Sequence, residues 1–342
     1  MRQSIRILVV TAAALGASGC EKRVKPKAEA ERTKSAPTTA ARPAPPTVVD
    51  TAKPGAANAT VTSTPQKPPE VKLLSPGGMP RKQLRLHPKA GSKETLVMTM
   101  RTGMEVKIQG MANPPIKLPP MRMTMAITVK SVSPQGDLAY DFVLKDAEVL
   151  DEPGVMPQVA AQMKAALAST KGISGTGSMT NRGFNKGTSI NVPPKTDPQV
   201  RQIIDGMRDS FNQIAAPLPA EPIGPGGKWE VKMNLVQNGM SLEQIATYEV
   251  TKLKGDTLFT KNTVQQRAGN QQVKNPTMPQ LKMELVKLVA DGGGGMTMNL
   301  ASILPSTANA KIKSEAQMVI DMGSQKQNMS MKMDLDLKVE GK

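Results

Sequence analysis

The 342-residue chain has one cysteine, one histidine, one tryptophan, two tyrosines and four phenylalanines. Each shortage excludes something. A lone Cys20 forms no internal disulfide. General acid–base and nucleophilic mechanisms lean on His, Cys or grouped carboxylates, and His87 stands alone near the start of the patterned sequence. No Ser-His-Asp set is available after it. Seven aromatic rings are too few for the base-stacking surfaces that single-stranded nucleic acid uses, so the net charge of +17 does not read as a nucleic-acid signature. No apolar run approaches the roughly 20 residues of a bilayer-spanning helix. The run Gly292-Gly293-Gly294-Gly295 lacks the Lys-Ser/Thr of a phosphate loop and reads as a flexible turn after a strand. The chain is expected to be no enzyme and to carry neither metal nor cofactor.

What is present begins with Arg2 and Arg6, an apolar stretch from Ile7 to Leu15, and Ala17-Ser18-Gly19 before Cys20. This is the charged, apolar and small-residue order of a secretory signal. The stretch resembles the lipobox of bacterial lipoproteins, with Ala17 where that family usually has Leu. The resemblance implies a signal peptide over residues 1–19 and lipidation of Cys20 by a diacylglyceryl group bearing palmitate-like chains. Glu21 stands where Asp would be the familiar inner-membrane retention signal, which implies an outer-membrane anchor facing the periplasm or the cell surface. A plain secretory signal that contains a cysteine is the alternative.

Residues 20–92 read as a tether. The segment from Lys22 to Lys72 is dense in Pro, Ala, Thr and Lys, as in Arg42-Pro43-Ala44-Pro45-Pro46, and lacks the apolar period that would offset its ordering entropy. A coil of about 50 residues spans roughly 40 Å. Residues 1–92 hold +11 of the net charge, leaving +6 for the 250 residues from Lys93. The expected neighbours of a basic tether are the membrane itself and anionic envelope polymers; a merely solvated linker is the competing reading.

From Lys93 to Lys342 the pattern is β-rich. Met121, Met123, Met125, Ile127 and Val129 alternate with polar or small residues, as do Met329 to Val339, Leu96 to Met100 and Leu138 to Leu144. Period two is the signature of strands with one buried face. Pro134-Gln135-Gly136-Asp137, Lys254-Gly255-Asp256, Gln237-Asn238-Gly239 and Gly323-Ser324 supply tight turns. Two amphipathic helices are expected. One runs from Asp197 as N-cap to Ala215, with Val200, Ile203, Ile204, Met207, Phe211 and Ile214 on one face; the other runs from about Pro157 to Thr170, with Val159, Met163 and Leu167 four apart. The fold class is therefore mainly β: a large antiparallel curved sheet or partly closed barrel of roughly eleven strands with two inserted helices. It forms one domain or two packed halves meeting near residues 217–227.

The segment Leu218-Pro219-Ala220-Glu221-Pro222-Ile223-Gly224-Pro225-Gly226-Gly227-Lys228-Trp229 turns the chain tightly before a strand opened by the only Trp. It resembles a Leu-Pro-x-x-Pro-Val/Ile, Gly, Trp signature of β-rich bacterial envelope lipoproteins of unknown function, and the resemblance extends over residues 93–342. It implies a fold and no activity. Trp229 reads as a core anchor or as a ligand platform.

Methionine is plentiful: 24 residues, 22 of them between Met98 and Met333, while residues 260–342 hold no aromatic at all. In Met121, Met123 and Met125 the sulfurs share one face about 7 Å apart. They read as core packing, as the wall of a deformable cavity for a hydrophobic ligand, or as a Cu(I) site. Asp146, Glu148, Asp151 and Glu152 cluster before Pro153 and read as a solvated strand end, with a carboxylate-dependent hydrolase as the rival. The expectation is a lipid-anchored envelope protein with a non-catalytic binding or scaffolding role, or a periplasmic carrier of a lipid. In outline the latter resembles the half-barrel lipoprotein carriers.

Overall fold

Where apolar and polar residues alternate after Lys93, the described chain forms strands, and the long ones pair on both sides. The computed structural model describes residues 59–62, 67–112, 114–192, 217–237, 239–273, 282–321 and 325–342. The first strands are β1 (Ala59–Thr62), β2 (Glu70–Ser75) and β3 (Lys93–Ile108), followed by the short β4 (Met111–Ala112) and β5 (Ile116–Lys117). Then come β6 (Met121–Val132), β7 (Leu138–Val149), helix α1 (Pro157–Ala168), β8 (Ser174–Met179) and β9 (Asn185–Val192). The second half holds β10 (Lys228–Gln237), β11 (Met240–Lys254), β12 (Thr257–Ala268), β13 (Gln271–Val273), β14 (Lys282–Asn299), β15 (Pro305–Asp321) and β16 (Lys326–Gly341).

All of them belong to one antiparallel sheet in the order β1-β9-β8-β7-β6-β3-β16-β15-β14-β12-β11-β10-β2, with β4 and β5 on β3 and β13 on β14. The pairing of β16 with β3 joins the two halves of the chain in mid-sheet. The sheet is open, because its path ends at β1 and β2. It is also curled. Laid flat, thirteen strands would be about 58 Å across at their usual spacing, yet Thr62 and Glu70 belong to the two end strands and eight residues of chain reach at most about 29 Å. Side chains agree: Val71 and Leu73 of β2 pack in the same cluster as Met179 of β8 and Ile190 of β9.

The registers put every second residue on the inner face. Met98 lies opposite Met123 and Val339, Met100 opposite Met121 and Leu337, and Met329 opposite Met318 and Ile108. At the base of the sheet the first apolar cluster gathers Trp229, Tyr140, Phe142, Leu258 and Leu300. At the distal end a second one gathers Met104, Leu235, Leu242, Met283, Leu285, Met318 and Met329. Helix α1 adds a third, with Met163 and Leu167 on Val149 and with Met121 and Val159 beside them. Pro157 opens this helix, and Ser169 and Thr170 close it by donating to the carbonyls of Ala166 and Leu167. The outer face carries cross-strand ion pairs, among them Lys228–Glu249–Lys261, Lys232–Glu243, Arg267–Asp291 and Lys332–Glu315.

Three expectations change. The tether does not extend to residue 92. Glu70–Ser75 is a strand on β10, and residues 76–92 cross the base of the sheet. There Lys82 exchanges backbone hydrogen bonds with Ile223, Leu86 donates to Asn181 and His87 donates to Leu300. Leu84 and Leu86 are buried in the first cluster, and that apolar burial is what orders the segment. Second, Gly292–Gly295 is no turn but the middle of β14, paired with β12 and β15. A Cβ at Gly292 or Gly294 would run into the carbonyl oxygens of Lys311 and Asn309, so only glycine lets β15 approach so closely. Third, among the described residues the one helix is α1; the helix expected over Asp197–Ala215 lies outside them, as do Cys20 and the tether up to residue 58.

Candidate functional site

Between the two clusters the inner face is lined by smaller side chains that are only half-buried. One cross-sheet row runs Val264, Gly292, Ile312, Leu335 and Thr102; the next runs Asn262, Gly294, Ala310, Leu337 and Met100. All of these are of intermediate exposure. Alternation explains the chemistry of this belt, because the lysines and carboxylates between these residues all fall on the other face. From Trp229 to Leu235, from Met240 to Leu253, through β12 and β14–β16, and from Leu96 to Ile108, no inner-face position is charged. Glu94 shares the inner face at the base, where its carboxylate accepts the backbone N–H groups of Ile303 and Leu304 at 2.9 and 2.8 Å.

Neutral polar groups on this face concentrate on β11 and β12. Tyr248 lies directly opposite Asn262, and Thr260 is the next inner-face residue toward the base. Burial pushes the Tyr248 phenol up to about 12. The hydroxyl of Thr260, a residue only 5% exposed, has no hydrogen-bond partner. Two rows toward the distal end, past Ala246 and Val264, Gln266 donates to Gln244 at 2.7 Å, and Gln244 in turn donates to Met233 Sδ.

The residues singled out in the sequence are distributed as follows. Met125 lies in the first cluster, Met123 packs against it, and Met121 turns to the cluster under α1. The three form one inner-face row but not one pocket. Trp229 is fully buried, stacks on Tyr248 with ring centroids 5.0 Å apart, and donates from Nε1 to the Pro217 carbonyl at 2.9 Å. That is the geometry of a core anchor. Asp146, Glu148, Asp151 and Glu152 face Lys171, Arg122, Lys164 and Arg101 respectively, four separate pairs with no common centre.

The Leu-Pro-x-x-Pro segment owes its shape to cations that its own sequence does not reveal. Arg182 Nε donates to the Leu218 carbonyl at 2.9 Å; Arg85 donates to those of Pro219 and Ala220 at 3.0 and 2.9 Å, and Gln83 to that of Ala220 at 3.0 Å. Burial and the neighbouring Arg182 pull the Arg85 guanidinium below its ordinary value. The Gly224 and Gly78 N–H groups then donate to the carbonyls of Pro76 and Pro225, locking the segment to the base-crossing residues. Beside it lies a hollow of about 240 Å³ lined by Pro80, Lys82, Pro225, Leu253 and Gly255, below the usual size of a small-molecule site. Lys82 and His87 both reach Asp256 there, His87 Nε2 at 3.5 Å.

Among the described residues no three His, Cys, Asp or Glu side chains converge as metal ligands, and no helix is long and apolar enough to cross a membrane. The belt of half-buried apolar side chains, with its neutral polar group on β11 and β12, is the surface best suited to bind something. No protein-family model matches the chain, and no curated protein matches it in sequence.

Proposed function

We propose that the chain is a non-catalytic, lipid-anchored protein of the bacterial cell envelope whose curled sheet binds a hydrophobic ligand on its inner face. The observation that carries this reading is the asymmetry of the two faces: charged pairs outside, no charge in the inner-face belt, and half-buried apolar side chains there between two filled clusters. Met100 in the belt, with the partly exposed Met98, Met296 and Met333 beside it, makes the surface adaptable to ligands of variable shape. The test is native mass spectrometry of the purified protein, with a thermal shift across a panel of acyl lipids. Bound lipid and a rise in melting temperature are expected, because a ligand that binds only the folded state stabilises it by mass action. Neither effect appearing would leave the inner face as packing alone and the protein as a scaffold.

The anchor is part of the same reading and rests on the lipobox-like approach to Cys20. Two or more acyl chains hold a protein stably on a membrane, whereas one does not. Cys20→Ala is therefore expected to move the protein out of the acylated membrane fraction, and unchanged fractionation would reject lipidation. Glu21 after the cysteine supports the outer membrane; recovery with inner membrane on a sucrose gradient would overturn that placement.

A further inference from the structure

Resting on the ligand-binding reading above, we propose that Tyr248, Thr260 and Asn262 form the site that holds the uncharged polar group of that ligand, and that the ligand is a neutral acylglycerol. A buried hydroxyl without a partner costs stability, and Thr260 Oγ1 is such a group. It lies on the inner face, with Met296 on one side and Val250 on the other. Its neighbours Asn262 and Tyr248 add an amide and a phenol in adjoining positions. Together they offer both donors and acceptors without charge, and an ester or hydroxyl of a glyceride uses both. From Thr260 and Asn262 the rows continue over Met296, Gly294 and Ala310 to Leu337, Val339 and Met100, an apolar path for acyl chains.

Charge decides the lipid class. A carboxylate or phosphate drawn onto this face would meet no cation, since every lysine and arginine on β10–β12 and β14–β16 lies on the outer face. Desolvating an unpaired anion is far costlier than desolvating an ester. The Tyr248 phenol, raised to about 12, stays protonated and remains a donor at every physiological pH.

The experiment places the full chain in nanodiscs of unlabelled phosphatidylcholine and adds a photoactivatable diacylglycerol, with matched photoactivatable oleate and phosphatidylcholine as separate arms. Cross-linked peptides are mapped by mass spectrometry. Diacylglycerol is expected to label β11, β12, β15 and β16, and Thr260→Val and Tyr248→Phe are each expected to cut that labelling about fivefold, the effect of losing one hydrogen bond. Thr260→Val is expected at the same time to hold or raise the melting temperature without added lipid, because it removes an unsatisfied hydroxyl. Equal labelling of the inner face by oleate or phosphatidylcholine would overturn the neutral class. Unchanged diacylglycerol labelling in the two variants, or a lowered melting temperature for Thr260→Val, would overturn the polar site. Absence of inner-face labelling by every lipid would overturn the binding reading itself.

Discussion

The base and the distal end of the inner face are packed with different materials. At the base, Trp229, Tyr140 and Phe142 are buried together with Leu258, Leu300 and Ile223. The rings of Phe142 and Tyr140 cover Gly175 and Gly177, where a Cβ would collide with them. Among the described residues the distal cluster has no ring, only Met, Leu, Ala, Val and Ile. Rings with few torsions and fixed hydrogen bonds make a rigid plug, whereas thioethers with three torsions adapt. The difference teaches where this fold keeps its shape and where it can change it.

Four measurements break or sharpen that contrast. The largest effect is expected for Trp229→Ala, which removes the stack on Tyr248 and the bond to Pro217; denaturant unfolding is expected to lose about 3–5 kcal/mol. A loss under about 1 kcal/mol would mean the base is not the rigid end. Gly294→Ala forces a methyl group against the Asn309 carbonyl and is expected to cost about 1–3 kcal/mol, read as a lower midpoint at constant slope. Next come the methionines. Replacing Met283, Met318 and Met329 by Leu one at a time is expected to change stability by less than about 1.5 kcal/mol each, as is Met121, Met123 or Met125 to Leu. A larger loss at the distal set would show that its packing is specific rather than adaptable.

The smallest effect is expected at the half-buried Asp256, whose carboxyl is held below its ordinary value chiefly by the hydrogen bond from Lys82, with His87 adding to it. A lowered carboxylate contributes stability that is present above its unfolded value and is lost as pH falls through the folded one. Asp256→Asn is thus expected to lower the melting temperature slightly at pH 7, with the difference from wild type vanishing in strong acid. A difference that persists in acid would assign the effect to something other than this carboxylate.

Much of the sheet is legible in the sequence because a period of two survives wherever side chains exist to show it. Met121 to Val129, Met329 to Val339, Leu96 to Met100 and Leu138 to Leu144 are all inner-face rows. Through Gly292–Gly295 there is no side chain to carry the period, so a strand looks like a turn. Val71, Leu73, Leu84 and Leu86 are scattered among Pro and Lys, and what buries them, including Ile223 and Trp229, lies well over a hundred residues away. The uncharged belt follows from alternation strand by strand. The group formed by Tyr248, Thr260 and Asn262 does not, because it exists only once β11 and β12 are in register.

The strand β16 sits between β15 and β3, whose residues lie over two hundred positions earlier in the chain. Until β16 is placed, the sheet is two pieces, each with a long unpaired edge. Contacts between such distant segments make folding slow, and open edges invite wrong partners. On the export route proposed for this protein, a chain threaded N-terminus first would carry β3 across before β16, so its two halves would join only after β16 had followed.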